Sequence, residues 1–180
     1  KAFANRKIPI QQIPNHTISI YMAKATLAVF GYNGVGLRFP VIFFGIADIA
    51  LIFVMARRFT GSILIASLSA SLLTLTPWFQ HYSHELRGYP PYIFFSILTF
   101  IAVHLLMTNG DKVRYWILLL AAFMGCYYST FGSVVFIFCF MVALWVLKIS
   151  QMLMPRREFL LPFQVITIKN FLIFSVIATA

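Results

Sequence analysis

The chain of 180 residues is 61% hydrophobic and 10% charged, with 20 Phe and a formal net charge of +10. A soluble domain carries roughly a quarter charged residues and still exposes roughly 30% of its unfolded surface, so water excludes this composition and lipid accepts it. The basic residues stand in short clusters at the ends of apolar runs, not in a stripe interleaved with aromatics, which excludes nucleic acid as a partner and reads as a membrane topology signal.

In chain order, Lys1 to Pro14 is polar, contains Pro9 and Pro14, and reads as loop. Asn15 is placed to cap a helix from about Thr17 to Phe30, because its side-chain oxygen can accept an orphan backbone N–H. Ile18, Tyr21, Met22, Ala25 and Val29 share one face of that helix. At about 14 residues it is too short to span a bilayer and is expected to lie in the interface plane. Gly31 to Gly36 then breaks the chain.

Spanning helices need about 20 mostly apolar residues. Five such segments are predicted: Pro40 to Ala56, Ser62 to Trp78, Pro91 to Met107, Tyr115 to Thr130 and Phe131 to Leu147. A truncated sixth begins near Asn170. Backbone polar groups find no water in hydrocarbon, so these segments must be helical. The expected fold is all-α: a polytopic transmembrane helix bundle, residues 39–180, preceded by an outer loop and interfacial helix, residues 1–38. The start at Lys1 and the stop in mid-helix at Ala180 mark the chain as a fragment of a longer one.

Arg57 and Arg58, Lys112 and Arg114, and Lys148, Arg156 and Arg157 fall in one set of connections; the opposite short loops hold only Arg87. The first set is therefore expected to be cytoplasmic. The N-terminal segment then lies outside despite its basic residues, an exception that an upstream helix would enforce. The expected location is a cell membrane, crossed several times, of the bacterial inner-membrane kind, with the polar loop facing outward.

That loop, His81 to Tyr89 (HYSHELRGY), is the richest polar stretch. Arg87 is a forked donor suited to an anionic head group, and Glu85, two residues away, can orient it. A solvated loop in an aromatic interfacial belt is the plainer alternative. His81, His84 and Glu85 have helical spacing, yet the string matches neither HExxH nor its inverse, so no metal is expected. Asp48 lies in the middle of the first predicted span, where function and helix–helix hydrogen bonding are equally open. His104 reads as a polar interhelical contact, Ser67 and Ser71 as a close-packing pair, and Cys126 and Cys139 as small buried hydrophobes. No GxSxG, Walker, GxGxxG or CxxC string occurs.

Two stretches carry a resemblance: NHTISIYMAKATLAVFGYNGVGLRFPVIFFG, Asn15 to Gly45, and TPWFQHYSHELRGYPPYIFFSILTF, Thr76 to Phe100. Together they resemble the membrane region of bacterial GT-C glycosyltransferases of the polyprenyl-phosphate-sugar type, the class that includes protein O-mannosyltransferases and aminoarabinose transferases. The matching positions are Asn15–His16 at an outer helix, Arg38–Phe39–Pro40 entering the next span, and Tyr82, Ser83, Glu85, Arg87 and Tyr89 of the Tyr-Ser-x-Glu-x-Arg-x-Tyr run.

The resemblance implies transfer of a sugar from a polyprenyl-phosphate carrier in the membrane lipid to an acceptor, of unspecified kind, at the outer face. It implies no cofactor, since the leaving group is already a phosphate. His16, Arg38, Glu85, Arg87 and Tyr89 become the expected substrate-binding residues, Glu85 reaching either Arg87 or sugar hydroxyls. Lys24 is a further candidate for the phosphate, and His16 can alternatively sit beside the helix cap. Members of the class carry an acidic residue, the expected catalytic base, on a loop before the Asn-His segment. Nothing acidic precedes Asp48 here, so that base is expected upstream of Lys1, or is missing from an inactive protein. A transporter, for which only Asp48 speaks, and a non-catalytic subunit of a membrane assembly are the rival readings.

Overall fold

The computed structural model describes residues 16–153 together with Asn170 and Phe174. Among them the chain forms helices and no strand: α1 (Thr17–Phe30), α2 (Gly34–Thr60), α3 (Ile63–Leu75), α4 (Pro77–Tyr82), α5 (Tyr89–Asn109), α6 (Val113–Ser129) and α7 (Ser133–Leu153). Helix α2, with 27 residues, and α5 and α7, with 21 each, are long and apolar enough to cross a membrane. With 17 residues, α6 stands at the lower edge of the roughly 17–25 that a span requires.

The span expected over Ser62 to Trp78 is broken. α3 stops at Leu75, Thr76 takes an extended conformation, and Pro77 opens the short α4. The proline ring disfavours helical geometry in the residue before it and is itself well suited to the first helical position. α3 buries only Ala66, so Ser67 and Ser71 are exposed and the close packing expected of them is not formed among the described residues.

Helix α2 also departs from expectation, beginning at Gly34 and not at Pro40. Asn33 caps it, accepting a 2.7 Å bond from the Gly36 amide. A proline at position 40 withholds the N–H that the Gly36 carbonyl would receive in an uninterrupted helix. The Thr26 hydroxyl, on α1, lies 2.5 Å from that carbonyl, closer than the 3.0 and 3.1 Å to the Met22 and Ala23 carbonyls of its own helix. A neighbouring helix thus repairs the ladder and lets α2 run through Pro40.

α2 packs on α1, α3 and α5, and α5 packs most extensively on α6. α5 and α6 form an antiparallel pair that closes tightly because Gly125 has no side chain: a Cβ there would lie 2.3 Å from the Phe95 ring. Phe44 of α2 meets Phe94 and Phe95 of α5 edge-on or tilted, at 5.3 and 6.1 Å. The largest apolar cluster joins α5, α6 and α7 through Leu106, Leu119, Phe123, Met141 and Leu144, with Phe174 inserted among them. Asn170 and Phe174 are helical; the rest of the expected sixth span lies outside the described residues, as do Asn15, Arg156 and Arg157.

The helix directions sort the charges. Arg57 and Arg58 end α2, and Lys112 and Arg114 begin α6, at one end of the bundle. Phe59 meets His104 at a tilt, ring centroids 4.6 Å apart, toward that end, an α2–α5 ring contact. The loop with Arg87 joins α4 to α5 at the other end. α1 lies across this second end, touching the starts of α2 and α5 and the finish of α6.

The face α1 turns to the bundle is Ser19, Ala23 and Leu27. The apolar stripe of Ile18, Tyr21, Met22, Ala25 and Val29 is centred about 145° around the helix from it, at about 100° per residue. Tyr21 and Val29 are accordingly 66% and 78% exposed. A small, partly polar stripe grips the protein while the greasy one faces away, as a helix resting in a lipid interface requires.

Candidate functional site

The polar loop is built from the last turn of α4, residues 83–88, and the first turn of α5. Phe79 is buried and anchors α4, whereas Trp78 is 69% exposed. The Ser83 hydroxyl donates to the Phe79 carbonyl at 2.6 Å, and His84 Nδ1–H donates to the Gln80 carbonyl at 2.7 Å. Ser83 also rests against Gly45 of α2, where a Cβ would stand 3.1 Å from its hydroxyl. The Arg87 amide turns back to the Glu85 carbonyl at 2.7 Å. These local bonds fold HYSHELRGY into a compact corner.

Glu85 occupies the middle of that corner. Its Oε1 lies 3.2 Å from His81 Nε2 and its Oε2 2.7 Å from Arg87 Nε. The second contact is one of charge alone, because Oε2 is out of line with the N–H and accepts no hydrogen bond among the described residues. The Arg87 side chain is 49% exposed, so its guanidinium is both held by a carboxylate and open to a ligand. It also stands 5.9 Å over the Tyr82 ring. Tyr82 in turn packs 4.4 Å from Tyr89 and stacks 5.8 Å from Trp78.

The base of the corner is fixed by α1 and α6. His16 Nδ1 lies 3.1 Å from the Gly88 amide and 3.2 Å from the Ser129 carbonyl. Without a proton Nδ1 accepts from Gly88; with one it donates to Ser129. The Ser19 hydroxyl donates to the Arg87 carbonyl at 2.9 Å. Gly88 is indispensable to this joint, since a Cβ there would fall 1.7 Å from the Ser129 carbonyl oxygen.

Of the residues singled out in the sequence, His16, Glu85, Arg87 and Tyr89 come together, His16 and Tyr89 with ring centroids 6.0 Å apart. Arg38 stands at the same end of the bundle, in the second turn of α2, exposed and without a hydrogen bond, ion pair or ring contact among the described residues. Lys24 is exposed on α1 and lies 5.5 Å over Tyr21. His16, and not Asn15, is the N-cap residue of α1, and its side chain makes no capping bond. Asp48 is fully buried in α2, one turn from Gly45, and neither carboxylate oxygen has a hydrogen-bond partner among the described residues. Cys126 is buried 3.6 Å from the Ser96 hydroxyl, whereas Cys139 is exposed on α7, unlike the buried position expected of it. No group of three His, Cys, Asp or Glu close enough to hold a metal occurs among the described residues.

Three participants escaped the sequence reading. His81, which by its spacing reads as a metal-ligand candidate, is the second basic side chain against Glu85. Ser19 sits three residues after His16 on the same helical face, a spacing that the more conspicuous apolar stripe masks. Ser129 contributes a backbone carbonyl, for which a sequence has no signal.

Long apolar helices, an interfacial helix and an ionic corner at one end define a polytopic membrane protein of the helical-bundle class. A family model described as dolichyl-phosphate-mannose-protein mannosyltransferase matches residues 17–177. The chain belongs to that family, and so to the membrane glycosyltransferases of the GT-C type. No curated protein and no solved structure matches it.

Proposed function

We propose that this chain transfers a sugar from a polyprenyl-phosphate carrier to an acceptor at the outer face of the membrane. The observation that carries the reading is Arg87: a half-exposed guanidinium, backed by Glu85 and flanked by Tyr82, at the end of a membrane bundle opposite the basic clusters. Lys and Arg collect on the cytoplasmic side of short loops, which puts the Arg87 corner outside.

In the transfer, the bond between the sugar's anomeric carbon and the phosphate oxygen breaks, and its electron pair leaves with the phosphate. The acceptor's oxygen or nitrogen forms the new bond at that carbon and gives its proton to a carboxylate base. Arg87 stabilises the charge that develops on the departing phosphate through charge-assisted hydrogen bonds. Arg38, exposed at the same end, adds a second positive charge toward the head group. Tyr89 and Glu85 line the corner on the sugar's side, and His16 closes it from α1. Among the described residues Asp111 belongs to the opposite end, where it accepts from Trp116 and Asn170, and so takes no part in this chemistry.

The test is Arg87→Ala in the complete protein, assayed with a polyprenyl-phosphate-linked mannose. Loss of transfer with a raised donor KM is expected. Unchanged transfer would show that the carrier phosphate binds elsewhere.

A further inference from the structure

We infer that Ser19 is a positioning residue for the donor: it acts through Arg87 without touching the substrate. The inference rests on the reading of Arg87 as the phosphate ligand. Ser19 is 2% exposed, and its hydroxyl donates to the Arg87 carbonyl at 2.9 Å across 68 residues of sequence. It sits on the narrow face of α1 that grips the bundle, beside Ala23 and Leu27.

The contact matters because the side chains that meet the Arg87 guanidinium, Glu85 and Tyr82, come from its own loop and the helix just before it. The guanidinium's carboxylate partner, Glu85, is on the same turn and meets it without an aligned N–H. A guanidinium so mounted moves with its own backbone. That backbone is pinned from behind at two successive residues, Arg87 by Ser19 and Gly88 by His16 and the Ser129 carbonyl. Of these pins Ser19 is the one that grips Arg87 itself, and its side chain is buried away from any ligand. Removing its hydroxyl frees the carbonyl and lets the guanidinium sample positions where it no longer meets a phosphate. A neutral hydrogen bond is worth about 0.5–1.5 kcal/mol net, which corresponds to about a 2- to 12-fold change in binding.

The experiment is a double-mutant cycle in the complete protein, with a polyprenyl-phosphate-linked mannose as donor. Ser19→Ala is expected to raise the donor KM about 2- to 12-fold while kcat stays within about twofold. Ser19→Cys, which keeps the volume but donates poorly, is expected to do the same, so that loss of packing is separated from loss of the bond. In an Arg87→Ala background neither substitution should change the donor KM further. Equal effects of Ser19→Ala with and without Arg87 would overturn the inference, as would an unchanged KM in both single variants. If Arg87→Ala alone leaves the donor KM unaltered, the reading of the phosphate site fails instead, and the positioning role with it.

Discussion

The Thr26 hydroxyl and the Gly36 carbonyl stand 2.5 Å apart, joining α1 to α2 at the backbone position that Pro40 leaves open. A carbonyl left unpaired away from water costs about 1–3 kcal/mol. Thr26→Val should therefore destabilise the protein by about that amount, read as a fall in melting temperature in detergent. Pro40→Ala returns an N–H to the ladder, so in that background Thr26→Val should cost measurably less. Equal costs in both backgrounds would mean that the proline and the threonine are unrelated.

Gly88→Ala should be damaging out of proportion to its size. The added methyl would fall 1.7 Å from the Ser129 carbonyl oxygen and 2.6 Å from His16 Nδ1, so backbone must move. A loss of about 1–3 kcal/mol is expected from overpacking, together with loss of transfer activity. Gly34→Ala is the control: nothing lies within 4 Å of a Cβ there, in the first turn of α2, and stability and activity should both be retained.

Arg87→Lys keeps the charge and loses the planar fork. If the fork grips a phosphate, the lysine variant should bind donor more weakly than the native protein and better than Arg87→Ala, whose loss of charged hydrogen bonds is worth about 1.5–3 kcal/mol, or about 10- to 150-fold. A lysine variant indistinguishable from the native protein would reduce Arg87 to a general positive charge. Donor titrations on the three proteins decide the point.

Cysteine labelling checks the orientation. With Cys126 and Cys139 replaced by Ala, a single cysteine at His84 should react with a membrane-impermeant thiol reagent added outside intact cells. One at Lys112 should react only after the membrane is opened. The reverse pattern would place the Arg87 corner in the cytoplasm and remove the argument for an outer-face acceptor.

Much of this architecture could be read in the residues, and the exceptions share one cause. The long spans and α1 are written in apolar runs bounded by Gly, Pro and charge, and α1 has the expected bounds, Thr17 to Phe30, although its N-cap is His16 and not Asn15. Pro40 and Pro77 carry opposite outcomes that local rules alone do not separate. At Pro77 the Leu73 carbonyl is met by the Thr76 amide at 3.1 Å as the helix ends; at Pro40 the Gly36 carbonyl is met by Thr26, ten residues before it in sequence, and the helix continues. The corner behaves likewise. Glu85, Arg87 and Tyr89 announce themselves by their chemistry within nine residues, whereas Ser19, Gly88 and Ser129 matter through one carbonyl, one missing methyl and another carbonyl. Tertiary contact decides those, and composition does not encode it.

The joint between His16, Gly88 and Ser129 ties together points separated by up to 113 residues. A chain emerging from the ribosome makes the Arg87 turn long before it makes the last residue of α6. The corner therefore cannot acquire its final shape until five further stretches of helix have been threaded after α1, and nascent protein halted within α6 should already hold its ions at the rim yet lack the grip to use them.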